Sequence, residues 1–275
     1  MIIKAKKILQ NNSKLYSFAK FLRNLLNHLE NLIISILLFP VSPIPNKNFI
    51  IVTGSDSLHY KNLKQLLSSI MIHEKKTKVL VFDLGLKNIE KNELRKKFKK
   101  IEIRKFDYSR YPKYFNIKIN AGEYAWKPVI ISNTLNEFKC SIFWMDAGNV
   151  VSSRLNTIRK ILNLTGFYSP FSDGKIYTWT HFKTLKFLKA SNKIINKRNL
   201  SGGCVGVNYK FNNVKKVINR WKDCSLIKDC IAPNGSNKKN HRQDQAVLSV
   251  LAHQANIVNR LFKNFYNFKI HQRIN

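Results

Sequence analysis

Residues 141–151, S-I-F-W-M-D-A-G-N-V-V, constrain the fold more than any other stretch, because their apolar run stops abruptly at an acid followed by small and polar residues. Ile142, Phe143, Trp144 and Met145 are too few for a helix and suit a central strand covered on both faces. Asp146 then stands at the carboxyl end of that strand, the edge where open α/β sheets bind ligands. A carboxylate held there suits a divalent cation or a sugar hydroxyl. It equally suits the backbone N–H groups of a tight turn at Gly148 and Asn149.

From residue 48 onward, strand-like and helix-like stretches alternate, which predicts a largely parallel sheet. Residues 49–53, F-I-I-V-T, read as a buried strand, with Gly54, Ser55, Asp56 and Ser57 as the loop at its end. Leu63, Leu66, Leu67, Ile70 and Met71 then share one face of a helix over 62–73. A second strand over 78–82 ends at Asp83, a charged helix covers 90–100, and a third strand covers 101–106. Residues 110–123 form a polar and aromatic connection long enough to be a functional loop. Pro128 suits the first turn of the next helix, whose core face carries Val129, Ile130, Leu135 and Phe138. Beyond the Asp146 strand come a helix near 155–162, a short strand over 166–169 and a helix near 181–190. The glycine-rich run 201–207 implies close approach of backbone or ligand. Helices over 214–221 and from Asp244 to 253 complete the pattern, which holds no internal repeat.

Residues 1–46 differ. Leu15, Phe18, Leu22, Leu25, Leu26 and Leu29 recur at helical spacing with Lys14, Lys20 and Arg23 between them, which predicts a basic amphipathic helix. The apolar stretch 32–39 is well short of the roughly 20 residues that span a bilayer. Two placements fit this helix: the interface of an anionic leaflet, or the body of the protein. Pro43 and Pro45 read as a stiff linker, so the expected organisation is a helical segment over 1–46 and a single domain over 47–275.

Against 15 Asp+Glu stand 49 Lys+Arg, a formal net charge of +34 that draws a chain to polyanions, anionic membrane surfaces or phosphorylated substrates. Lys, Asn and Ile abound throughout, so compositional drift on solvated helix faces explains the charge as well. Without C-x-x-C or H-E-x-x-H spacing, a zinc site is not indicated. Cys140 and Cys204 read as small buried apolar residues of a reduced, cytoplasmic chain. Neither G-x-G-x-x-G nor G-x-x-x-x-G-K occurs, which argues against a dinucleotide oxidoreductase or a P-loop NTPase. No helix-turn-helix, RRM or KH pattern supports a specific nucleic-acid partner. If the sheet is parallel, Asp56, Asp83 and Asp146 converge on one edge. Asp83 there either holds ribose or base, or caps its own turn.

The order of T-G-S-D strand, F-D-L-G-L strand, W-K-P helix, W-M-D-A-G strand, S-G-G and R-Q-D-Q resembles the nucleotide-diphospho-sugar transferase superfamily of GT-A fold, from residue 48 to the Asp244 helix. The resemblance implies an α/β, GT-A-like fold with a Rossmann-like, mostly parallel central sheet flanked by helices. It implies a glycosyltransferase that moves a sugar from a nucleotide sugar to a hydroxyl acceptor in surface glycan or polysaccharide synthesis. The acceptor is then a glycan or a lipid-linked one, and the basic N-terminal helix adds the expectation of a cytoplasmic protein peripheral on the inner face of the membrane. On the donor side it places Thr53, Gly54, Asp56, Asp83 and Asp146, with Lys127, His241 and Arg242 as cations. On the acceptor side it places Gly202, Gly203 and Gln245. Asp244 joins Asp146 as a catalytic candidate, taking the acceptor proton, unless it simply caps its helix. The superfamily's D-x-D holds Mn2+ or Mg2+, and Asp146 matches its first carboxylate. Gly148 stands at the second and Asn149 follows. Either Asp146 and Asn149 hold the metal with waters, or Lys127, His241 and Arg242 neutralise the diphosphate instead. The alternative is a nucleotide-sugar-binding or scaffold protein that has lost catalysis.

Overall fold

The computed structural model describes residues 13–272, so the sequence readings at 1–12 lie outside the described residues, as do the side chains of Lys14, Leu15, Lys20 and Arg23. The chain forms two compact units, Met1–Val41 and Ser42–Asn275. The first holds α1 (Ser13–Leu37), one continuous helix on which Phe18, Phe21, Leu25, Leu26 and Leu29 are exposed. Among the described residues no helix is long and apolar enough to cross a membrane.

The second unit opens earlier than the proline pattern suggests. Ile44 is buried, and its carbonyl accepts a hydrogen bond from Arg159, so the Pro43 and Pro45 stretch packs on the sheet's own unit rather than acting as a free linker. The elements that follow are β1 (Phe49–Asp56), α2 (Tyr60–His73), β2 (Lys78–Gly85), α3 (Asn88–Lys97), β3 (Ile101–Lys105), α4 (Trp126–Phe138) and β4 (Ser141–Met145). Next come β5 (Val150–Val151), α5 (Asn156–Thr165), β6 (Phe167–Tyr168), β7 (Phe171–Lys175), α6 (Ile176–Trp179), α7 (Phe182–Phe187) and α8 (Asn192–Ile195). The chain closes with β8 (Arg198–Leu200), β9 (Cys204–Asn208), α9 (Asn212–Ser225), α10 (Lys228–Ile231), α11 (Gln243–Gln254) and β10 (Phe268–Lys269).

The central sheet has the order β3-β2-β1-β4-β9-β6. Strands β3, β2, β1 and β4 run parallel, and β9 pairs antiparallel with β4 and β6. The expected α/β architecture with a mostly parallel central sheet flanked by helices is therefore present. Sequence order reverses between β1 and β4, and beyond the carboxyl edge of such a switch point the outgoing loops part to leave the crevice where open α/β sheets usually bind ligands. Ile50, Val52, Leu80, Ile142, Trp144, Val205 and Val207 turn one way into a core with Val129 and Ile130 of α4, Ile218 and Trp221 of α9, and Val247 and Leu248 of α11. Their alternating neighbours Phe49, Ile51 and Phe143 are equally buried on the other face. A strand buried on both sides needs the continuous apolar run that β4 has.

Two expectations need correction. Strand β1 runs three residues past Thr53, with Gly54 and Ser55 paired to Phe82 and Asp83, so the Gly-Ser pair is ladder rather than loop. The expectation of a reduced chain also changes, because Cys224 and Cys230 form a disulfide with Cα atoms 5.3 Å apart, while Cys140 and Cys204 are free. The end of α9 and the short α10 bring these two together, which no C-x-x-C spacing signals.

One buried ion pair ties α5 to the loop before β2. Arg159 bonds Glu74 at 2.6 Å, Thr77 at 2.7 Å and the Ile44 carbonyl at 2.9 Å, while Glu74 accepts the Leu155 N–H at 2.7 Å. Arg159→Met should cost about 3–5 kcal/mol, because it strands a buried carboxylate. Chemical denaturation reads this, and a loss of about 0.5 kcal/mol or less, the surface range, contradicts it.

Candidate functional site

The site is built around the ammonium of Lys127, in the first turn of α4. Lys127 is 3% exposed. Its Nζ donates a hydrogen bond to the Gly202 carbonyl at 3.0 Å and lies 3.1 Å from Asp146 Oδ1 and 3.0 Å from Asp244 Oδ2. The Asp244 contact is an ion pair rather than an aligned hydrogen bond. The rings of Tyr124, Trp126 and Trp144 stand 5.6, 5.9 and 5.8 Å from the same nitrogen, within cation–π reach. Burial opposes the charge, but Asp146 and Asp244 outweigh it and hold the ammonium above the ordinary lysine value. For Asp244 burial wins: its carboxyl is pushed up, with Lys127 pulling back and Asp146 reinforcing the push.

Each partner comes from a different element. Asp146 follows β4, and its backbone N–H bonds the Gly203 carbonyl at 2.9 Å. Trp144 lies two residues earlier on the same side of the strand and donates its indole N–H to Asp146 Oδ1 at 2.7 Å. This leaves Oδ2 for other partners, on a side chain one-third exposed at 34%. Asp244 sits inside the first turn of α11, whose N-cap is Arg242 with no side-chain cap, so Asp244 is not the helix cap. Gly202 and Gly203 are needed for space: a Cβ on Gly202 would stand 3.0 Å from Asp244 Oδ2, and one on Gly203 3.3 Å from Asp146 Oδ2.

The loop before α4 carries unusual backbone. Asn120, Ala121, Gly122, Glu123 and Tyr124 all take φ between 47° and 64°. Left-handed backbone costs roughly 1–2 kcal/mol per residue with a side chain, and such strain collects at functional sites. Gly122 has no alternative, since a Cβ there would collide with the Phe115 carbonyl. The turn delivers Tyr124 to the cluster, where burial raises its phenol and Asp244, Asp146 and Asp56 add to the effect. It is braced by Trp126 Nε1 donating to Ala121 O at 3.0 Å and by Gln243 donating to Glu123 at 3.2 Å.

Of the expected site residues, the structure therefore gathers Lys127, Asp146, Asp244, Gly202 and Gly203, with Asp56 at the margin. Asp56 accepts from His59 N at 3.1 Å and contacts His59 Nδ1 at 2.7 Å. Others are committed elsewhere. Thr53 is fully buried within β1, and Gly54 packs under Leu84 and Trp144, so neither reaches the crevice. Asp83 takes the turn-capping alternative, accepting from Gly85 N and Leu86 N and pairing with Lys91 at 3.1 Å. Gln245 donates to Ser172 at 2.9 Å. His241 is fully buried, accepts the His181 N–H at Nδ1 and donates Nε2 to the Ile231 carbonyl, and burial depresses its titration to about 4. It is a neutral strut, not a cation. Arg242 stacks on Trp179 at 3.9 Å and forms no ion pair among the described residues. Lys127 is corrected too: an ammonium has three N–H donors, and three oxygens already surround it.

The metal expectation does not fit these donors. Asp146 Oδ1 already faces an indole N–H and an ammonium, while Asn149 donates its amide N–H to the Gly203 carbonyl at 2.8 Å and keeps a buried Oδ1 without a partner, a single neutral oxygen. Among the described residues no three His, Cys, Asp or Glu side chains group to hold a cation. A hard divalent ion prefers several anionic oxygens, and of the two acids in the cluster only Asp146, one-third exposed, is open to solvent.

The family described as "Protein of unknown function (DUF1647)" matches residues 9–132, which ends inside α4. No curated protein matches the chain. Among solved structures it is similar to the WbbM bifunctional glycosyltransferase in its apo form, at 14% identity and a TM-score of 0.48, over 77% of this chain and 38% of that one. It is similar to the galactosyltransferase LgtC in complex with donor and acceptor sugar analogues, at 14% identity and a TM-score of 0.48, over 74% of this chain and 70% of that one. Core-mannan synthase A from Aspergillus fumigatus, in an Mn/GDP form, matches at 8% identity and a TM-score of 0.48, over 74% of this chain and 69% of that one. This chain thus spans well under half of WbbM. At such TM-scores the likeness decides nothing about chemistry, which has to come from the crevice.

His241 yields a pH prediction. An unfolded histidine titrates near 6.5 and the folded one near 4. The unfolded chain therefore binds the extra proton first, so stability is full above about pH 6.5 and falls by up to about 1.4 kcal/mol per pH unit as the pH drops towards 4. Denaturant unfolding at pH 7.5 and pH 5.0 should show the His241→Gln protein losing about 2 kcal/mol less than the parent over that interval. Equal losses would remove His241 from the acid response.

Proposed function

We propose that this chain is a glycosyltransferase that moves a sugar from a nucleotide sugar to a hydroxyl acceptor. The observation that carries this is the pair of carboxylates held 3.1 and 3.0 Å from one buried ammonium, at the switch point between β1 and β4. With all three groups ionised the cluster keeps one negative charge. That suits hydroxyl recognition and an oxocarbenium-like centre better than direct phosphate binding. Asp146 Oδ2 faces the crevice on the donor side. Asp244, its carboxyl raised by burial, holds the acceptor hydroxyl in line or takes its proton. Gly202 and Gly203 keep the space beside both acids free of side chains. Positive charge for the diphosphate leaving group comes from Arg242 and from His59, which its Asp56 hydrogen bond holds towards the protonated form. No step is assigned to a metal ion.

A second reading, a nucleotide-sugar-binding protein without turnover, is favoured by the one feature that departs from the resemblance: Gly148 stands where a second metal-binding carboxylate belongs. On the transferase reading the acceptor is a glycan or lipid-linked glycan. The exposed apolar side chains of α1 suit the surface of an anionic leaflet.

Release of nucleoside diphosphate from a panel of nucleotide sugars, with a mixed glycan acceptor, separates the two. The transferase reading expects release from at least one donor and a fall of about 10²- to 10⁴-fold in Asp244→Asn, with the melting temperature little changed. Saturable donor binding with no release selects the binding protein. Equal rates in Asp244→Asn and Asp146→Asn would remove both acids from the chemistry.

A further inference from the structure

The C-terminal end of α11 borders a hollow of about 410 Å3 that takes in none of the residues discussed as donor or acceptor groups. Lys189, Lys193, Lys197 and Arg260 line it, and no carboxylate does. None of these four makes an ion pair among the described residues, whereas Lys64, Lys78, Lys91 and Arg104 elsewhere on the surface each meet a carboxylate. The positive charge is therefore uncompensated where the surface is concave, and concavity concentrates its field.

The rest of the lining is neutral and hydrogen-bonding. His253 is buried and donates Nε2 to the Arg198 carbonyl at 2.9 Å. Burial, with Lys197 and Arg260 adding, keeps the ring uncharged. Gln254 donates to the Leu188 carbonyl at 2.9 Å, pinning the turn that carries Lys189 in its left-handed conformation at φ 51°. That bond commits Gln254 Nε2 to the backbone and leaves its Oε1 buried with no partner. Ser191 and Asn256 add further polar groups, and the volume falls within the range of small-molecule sites.

We propose that this hollow binds a phosphorylated saccharide, with its phosphate among Lys193, Lys197 and Arg260 and its hydroxyls on Ser191 and Asn256. Cations alone would take any anion. The neutral polar groups of Ser191 and Asn256 beside them add recognition of a hydroxyl-bearing ring. From Asp244 to Gln254 along α11 is about 15 Å at 1.5 Å per residue, so this is a second site, separate from the carboxylate crevice.

Isothermal titration of the full chain in 0.15 M NaCl, where diffuse surface charge is screened, tests this with glucose 6-phosphate, glucose and inorganic phosphate. Expected is one-site saturable binding of glucose 6-phosphate, about tenfold tighter than inorganic phosphate, with no binding of glucose. Lys193→Glu combined with Arg260→Glu, both exposed and outside the core, should weaken it by about tenfold or more. Asp146→Asn should leave it unchanged, which separates this hollow from the crevice. Absence of saturable binding, equal affinity in the double variant, loss in Asp146→Asn, or inorganic phosphate binding as tightly would each overturn the proposal.

Discussion

An ammonium buried among two carboxylates, one carbonyl and three aromatic rings is the interaction on which the rest of the crevice depends. Alone, a lysine at 3% exposure would shed its proton, because the interior solvates a charge poorly. Alone, Asp146 and Asp244 would repel each other. Together they form a knot that joins the first turn of α4, the end of β4, the turn at Gly202 and the first turn of α11. These elements are far apart in sequence, and no backbone ladder joins all of them. Lys127 therefore acts through the acids it positions, and the groups left to meet a ligand are Asp146 Oδ2, Asp244, the glycine backbone and Tyr124.

Strain on one side of the knot supports the same view. The left-handed stretch from Asn120 to Tyr124 is costly, and it persists because Trp126, Gln243 and the Phe115 backbone hold it from several directions. What it achieves is the placement of one tyrosine against the acids. The sheet achieves the complementary placement, since β4, buried on both faces, fixes Asp146 at the crevice edge with little freedom.

Much of this was legible in the sequence, and what was not has physical causes. The apolar run before Asp146 foretold β4 because a strand covered on both faces leaves no room for polar alternation, and Asp146 stands where that run ends. Lys127, Asp244, Gly202 and Gly203 were singled out, but as separate donor and acceptor groups, since pattern alone does not reveal that one buried charge gathers them. Small polar residues look like loop, so the sequence pattern ends the strand at Thr53 and opens the loop at Gly54. Parallel pairing, however, needs only backbone groups, so β1 carried on to Asp56. His241 was read as a cation from its type, yet burial and two backbone hydrogen bonds make it neutral. The left-handed turn had one signal, the glycine at 122, and the Cys224–Cys230 bond had none beyond the short spacing.

The most direct measurement is the unfolding free energy of Lys127→Met, alone and combined with Asp244→Asn. If the ammonium holds the crevice together, the single substitution leaves Asp244 buried and unpaired and costs about 3–5 kcal/mol, and neutralising Asp244 in the double variant restores a large part of that loss. A single variant within about 0.5 kcal/mol of the parent, or two losses that simply add, would show that the acids do not depend on Lys127 and would contradict the account.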